Sequence, residues 1–119
     1  MKLNHINLLV ADVNEARKFL EKYFQLHTRT SRGKSFAVLS DESGFVLTLM
    51  KGTAVNYPKT FHIGFVQENE EQVNHINQRL RDDGFDVESP KRAHGWTFYV
   101  NAPGGFTVEV LCPADNIPN

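Results

Sequence analysis

His5, His62 and Glu109 are the residues of this 119-residue chain whose types could do chemistry together. Two imidazoles and a carboxylate make a three-donor set for a divalent transition metal, with coordination positions left over for water or substrate. That is the pattern of a catalytic ion acting as a Lewis acid, and mixed nitrogen and oxygen donors suit zinc, manganese, iron, nickel or cobalt. Taken singly, each residue has a plainer reading, as a core histidine bonded to backbone or a glutamate in an ion pair. Their places in the chain set them apart. His94, in Lys91-Arg92-Ala93-His94-Gly95, is a further candidate as a general base, against the plainer reading of a solvated loop histidine. Trp96 and Tyr99 could wall a pocket, although strand neighbours of opposite parity face opposite ways.

The elements that must position these residues come in two copies. His5-Ile6-Asn7-Leu8-Leu9-Val10 leads to a helix start at Asp12, and His62-Ile63-Gly64-Phe65-Val66 leads to another at Asn69; both pairs of landmarks are 57 residues apart. A fixed offset of this kind is the mark of a repeated structural unit. Asp12 is followed by Glu15 and Asn69 by Gln72, the spacing at which a cap residue and the third helical residue bond each other's amides. Ala16, Phe19, Leu20 and Tyr23 form one apolar helical stripe and Val73, Ile76 and Leu80 another, the second closing at Gly84. Strands are expected over Ser35–Ser40 and Gly44–Lys51, with a short one near Thr28, and in the second half over Asp86–Lys91, Gly95–Asn101 and Phe106–Cys112. Each half thus reads strand, helix, strand, strand, strand, and the chain reads as one α+β domain with two curved sheets backed by helices.

Alternation along the strands then sorts the candidates. Ile6, Leu8 and Val10 are the apolar set of the first strand, leaving His5, Asn7 and Leu9 on the other face. Phe61, Ile63 and Phe65 leave His62 opposite, and Phe106, Val108 and Val110 leave Thr107, Glu109 and Leu111 opposite. Both histidines and the glutamate therefore turn away from the helices, where a carboxylate between two valines needs a cation beside it.

Bulk properties exclude other classes. Thirteen basic and fourteen acidic residues, with no long run of either sign, offer no electrostatic footprint for nucleic acid or a membrane surface. The apolar runs are only of strand length, and Met1-Lys2-Leu3-Asn4-His5 lacks the apolar core of a secretory signal, so a cytoplasmic location is the expectation. The single cysteine, Cys112, allows neither an internal disulfide nor a CxxC motif.

Asn4-His5-Ile6-Asn7-Leu8, Phe61-His62-Ile63-Gly64-Phe65 and the stretch Phe98-Tyr99-Val100-Asn101-Ala102-Pro103-Gly104-Gly105-Phe106-Thr107-Val108-Glu109-Val110 resemble the vicinal oxygen chelate superfamily, which includes glyoxalases, fosfomycin-resistance transferases, bleomycin-resistance proteins and extradiol dioxygenases. The resemblance covers essentially the whole chain as two βαβββ modules, about residues 1–52 and 59–113, with mixed sheets curving around a cup-shaped cavity. It implies that His5, His62 and Glu109 hold a divalent metal which chelates a small substrate through adjacent oxygens, with a homodimer as the partner state. It also implies a pocket that includes Tyr99, Trp96, Asn7 and Thr48. Thr48 occupies the place where glyoxalase I carries a fourth, glutamate ligand, so this chain departs from that branch, and no arginine follows Glu109 to meet a phosphonate. The alternatives are a metal-free sequestering protein of the bleomycin-resistance type and a metal-bearing module without turnover.

Overall fold

The computed structural model describes residues 1–114. The chain runs β1 (His5–Val10), α1 (Val13–Phe24), β2 (His27–Arg32), β3 (Phe36–Ser40), β4 (Val46–Lys51), then β5 (Ile63–Val66), α2 (Glu70–Asp82), β6 (Lys91–Arg92), β7 (Gly95–Ala102) and β8 (Phe106–Pro113). The expected α+β order of strand, helix and three strands appears twice. The contacts divide the chain into two compact units, one of Met1–Lys59 with Ala102–Phe106, the other of Thr60–Asn101 with the chain from Thr107.

In the first unit α1 starts where Asp12, extended at φ −139°, accepts a 3.0 Å bond from the Glu15 amide. The helix buries Val13, Ala16, Phe19, Leu20, Tyr23 and Phe24 and stops at Gln25, which adopts the left-handed conformation at φ 58°. Its buried stripe packs on a four-stranded sheet of order β1-β4-β3-β2, in which β1 runs parallel to β4 and the remaining pairs are antiparallel. Leu8 and Val10 of β1, Ala37 and Leu39 of β3, and Leu49 of β4 are almost wholly buried, each apolar side chain contributing about 1.5–3 kcal/mol if fully removed from water. The outer edge of β1 is closed by a side chain: the Tyr57 hydroxyl accepts from the Leu9 amide and donates to the Leu9 carbonyl, both at 2.8 Å.

The second unit repeats the plan. Asn69 caps α2 by accepting from the Gln72 amide at 2.9 Å, while the Gln72 side chain accepts from the amide of Glu68 at 3.1 Å, one residue before the cap residue whose amide the capping-box spacing designates. The helix ends before Gly84, whose φ of +92° is left-handed backbone that an L side chain rarely adopts. Its sheet has the order β5-β8-β7-β6, with β5 parallel to β8 and β6 antiparallel to β7.

Two strand expectations are corrected. Asp86–Lys91 is not a strand; only Lys91 and Arg92 pair, with Thr97 and Trp96. The preceding segment is held by α2 side chains instead, Asn77 donating to the Glu88 carbonyl at 2.9 Å and Arg81 to the Ser89 hydroxyl at 2.8 Å, and Pro90 has no amide for a ladder. The fifth strand starts at Ile63, so His62 stands just before it. No helix of the described residues is long and apolar enough to cross a membrane.

Candidate metal centre

Glu109 lies in β8 between β5 and β7, its side chain only 7% exposed. Gly64 sits opposite it across the β5–β8 pairing, so no side chain from that neighbour crowds the carboxylate. From β7 the Thr97 hydroxyl donates to Oε2 at 2.6 Å, and from the residue before β7 His94 Nε2 reaches the same oxygen at 2.5 Å. His94 gets there because β7 and β8 approach closely. A Cβ on Gly95 would lie 2.4 Å from the Cys112 carbonyl oxygen, so only glycine fits.

The other oxygen, Oε1, faces His62 Nε2 at 3.3 Å. Burial by itself would raise the Glu109 pKa, but the hydrogen bond from Thr97, then the bond and charge of His94 and the hydrogen bond with Tyr99, hold it below the ordinary carboxylate value. Tyr99 shifts the opposite way, raised by burial and by the negative carboxylate it bonds. Its ring meets the His62 imidazole edge-on, with centroids 5.4 Å apart.

Nδ1 of His62 lies 2.9 Å from the Thr60 carbonyl oxygen, which can only accept, so Nδ1 carries a proton and Nε2 is the nitrogen turned to Glu109. A nitrogen and a carboxylate oxygen then face each other, a pairing completed by a proton on Nε2 or by a cation held between them. The separation of 3.3 Å is close to the roughly 3.4 Å separating two donors that share a tetrahedral ion at about 2.1 Å each. An imidazole whose distal N–H is tied to backbone is also the usual state of a metal-bound histidine. The pair therefore fits a divalent ion in chemistry and spacing. Among the described residues, no group of three or more His, Cys, Asp and Glu side chains is by itself arranged to hold one.

His5, in the first unit, carries the same preparation. Its Nδ1 lies 2.7 Å from the Asn4 side-chain oxygen, leaving Nε2 free. It is exposed on β1, as are Asn7 and Leu9, while Leu8 and Val10 are buried, the alternation expected from the sequence. Asn7 pairs with Thr48, and its amide approaches the Met50 sulfur at 3.1 Å. None of the four strands of this sheet contains an Asp or Glu, whereas β2 carries Arg29 and Arg32. Arg29 falls at a bulge between Thr28 and Thr30 and donates to the buried Ser40 hydroxyl at 3.3 Å.

Trp96 goes elsewhere: its indole N–H donates to Asn74 of α2 at 2.7 Å, and the Arg92 guanidinium lies over its ring at 5.0 Å. It is on the helix side of β7, and Tyr99, of opposite parity, is the aromatic that meets Glu109. Thr97 was not singled out from the sequence, although it shares parity with Tyr99 and could have been found by extending the alternation to β7. That His94 reaches Oε2 depends on a contact fifteen residues apart that no local pattern encodes.

The model of the Glyoxalase/Bleomycin resistance protein/Dioxygenase superfamily matches residues 2–110. Fosfomycin resistance protein FosX of Listeria innocua serovar 6a is 30% identical over 96 residues, 76% of this chain and 71% of that protein. A structure of a possible glyoxalase from Bacillus cereus is 64% identical, with a TM-score of 0.92, covering 94% of this chain and 99% of its own. A mutant FosX from Listeria monocytogenes, complexed with Mn(II) and a dihydroxypropylphosphonic acid, shares the fold at a TM-score of 0.81 and 21% identity, covering 96% of this chain and 91% of its own.

Proposed function

On the premise that the chain belongs to the glyoxalase/bleomycin resistance protein/dioxygenase superfamily, we propose that it is a divalent-metal-dependent enzyme acting on a small molecule that offers adjacent oxygen atoms. His5, His62 and Glu109 are the residues that would hold the ion. When bound, it supplies Lewis-acid stabilisation of negative charge developing on a substrate oxygen. The observation that carries the reading is His62 Nε2 facing Oε1 of the buried Glu109 carboxylate at 3.3 Å, with Nδ1 held by the Thr60 carbonyl.

The chain's own residues have separable tasks. His62 and His5 present Nε2 because their Nδ1 atoms are bound to the Thr60 carbonyl and to Asn4. His94, half exposed, has Nε2 on Glu109, so the carboxylate orients the ring and makes His94 the candidate for proton transfer with the substrate. Tyr99, 41% exposed, offers a ring and a hydroxyl beside the carboxylate. The Mn(II) complex of the Listeria relative contains a dihydroxy compound, which offers the adjacent oxygens proposed here for the substrate.

Thr48 in place of a carboxylate removes the second acidic ligand that a standard glyoxalase I centre needs, which favours epoxide-opening chemistry over hemithioacetal isomerisation. The test is metal analysis of protein purified without chelators, followed by assays with each candidate metal on a hemithioacetal and on anionic epoxides with thiol or water as nucleophile. Stoichiometric metal with turnover of an epoxide supports the reading. Failure to bind any divalent ion tightly would leave the metal-free sequestering protein in its place.

A further inference from the structure

The two oxygens of Glu109 are treated differently. Oε2 receives two hydrogen bonds, from the Thr97 hydroxyl at 2.6 Å and from His94 Nε2 at 2.5 Å, while Oε1 is the oxygen that faces His62 Nε2 at 3.3 Å, and the Tyr99 hydroxyl also bonds the carboxylate. Thr97 is itself fully buried, and its oxygen also lies 3.2 Å from the Val110 carbonyl. A hydroxyl has a single proton. The 2.6 Å contact to a charged acceptor is the stronger claim on it, so the carbonyl contact does little to draw it away. His94 approaches from the opposite end of the sequence order, where the compulsory glycine at 95 lets the strands close up. A buried carboxylate with one oxygen doubly bonded cannot readily rotate about its last torsion to offer both oxygens to one ion.

We propose that Thr97 and His94 form a clamp on Oε2 that fixes Glu109 as a one-oxygen ligand through Oε1. The inference rests on the reading of Glu109 as a metal ligand and adds what that reading leaves open. A carboxylate free to bind through two oxygens would fill one more coordination position. The clamp keeps that position for water or for the second oxygen of a chelating substrate, and Thr97 and His94 act here as positioning residues, through Glu109.

The test uses the full chain and Mn(II) alone. Affinity is measured by titration followed by electron paramagnetic resonance, and the number of exchangeable waters on bound Mn(II) by water-proton relaxation. Thr97→Val keeps the shape of the side chain but removes the donor. It should weaken Mn(II) binding about 10- to 100-fold, the usual effect of removing a ligand's hydrogen-bond partner, and lower the water count per ion by about one as Oε2 swings in. Thr97→Ser, which restores the hydroxyl, should recover both values. A variant that merely loosened the fold would not change the water count of the ion it still binds. Should Thr97→Val fail to fold, His94→Ala removes the other donor from a half-exposed position and should lower the water count in the same direction. Wild-type affinity and water count in Thr97→Val, or in His94→Ala where Thr97→Val does not fold, overturn the clamp while leaving the ligand set intact. Absence of Mn(II) binding by the unaltered chain overturns the ligand set and the clamp together.

Discussion

Replacing Glu109 by glutamine separates what the carboxylate does for the fold from what it would do for a metal. The amide matches the site. Its oxygen can take the place of Oε2 and accept from Thr97 and His94, and its NH2 can take the place of Oε1 and donate to the His62 Nε2 lone pair 3.3 Å away. Two charge-assisted bonds at about 1.5–3 kcal/mol each become neutral ones at about 0.5–1.5, a loss of roughly 2–3 kcal/mol. The new bond to His62 and the removal of a buried charge offset most of it. The metal-free variant should therefore unfold within about 5 °C of the unaltered protein, at roughly 4 °C per kcal/mol for a chain of this length. The metal response should differ sharply. At Mn(II) a hundredfold above its dissociation constant, the unaltered chain should gain about 2.7 kcal/mol, or roughly 10 °C. Glu109→Gln should gain less than about 2 °C at the same Mn(II) concentration, because the one anionic donor has become a poor neutral one. Differential scanning calorimetry with and without Mn(II) reads both quantities. A variant that is stabilised by Mn(II) as much as the unaltered protein would refute the assignment of Glu109 as a ligand.

His62→Ala, at a position 37% exposed, should lose most divalent-metal binding in calorimetric titration while melting within a few degrees of the unaltered chain. Asn69→Ala removes the side chain that accepts from the Gln72 amide and should cost about 1 kcal/mol in urea unfolding. Asp41 accepts from the Ser43 amide, the Ser43 hydroxyl and the Phe45 amide, each at 2.9 Å, and although burial alone would raise its pKa these bonds hold it below the ordinary carboxylate value. Its stabilising contribution is therefore complete above the unfolded-state pKa and is lost as the pH falls through the lower folded-state value. Asp41→Asn should cost about 1–2 kcal/mol at pH 7, a deficit that shrinks below about pH 4; a deficit constant with pH would contradict it.

The repeat, the caps and the inward-facing parity of both modules were legible because each is a local property. Asp12 and Asn69 accept from the amides three residues on, and the alternation that turns His5 away from Leu8 and Val10 is written in six consecutive residues. What local pattern could not supply is the partner of a side chain on another strand. That Thr97 and His94 converge on one oxygen of Glu109 follows from how closely the last two long strands approach, which Gly95 permits but does not announce. Trp96 reads as a pocket aromatic by type. Only the hydrogen bond of its indole to Asn74 puts it on the helix side. The expected strand over Asp86–Lys91 has Val87 as its one apolar strand former and contains Pro90, and the side chains of Asn77 and Arg81 claim its polar groups. There a tertiary contact overrides a weak local preference.

The hydroxyl of Tyr57 meets both polar groups of Leu9, an amide and a carbonyl that would otherwise be open to an added strand. An edge strand with such groups free, beside a side chain as apolar as Leu9, is a template on which a stray extended segment can nucleate growth. One phenol thus acts as a stopper at this point of the edge, occupying the groups on which an added strand would pair.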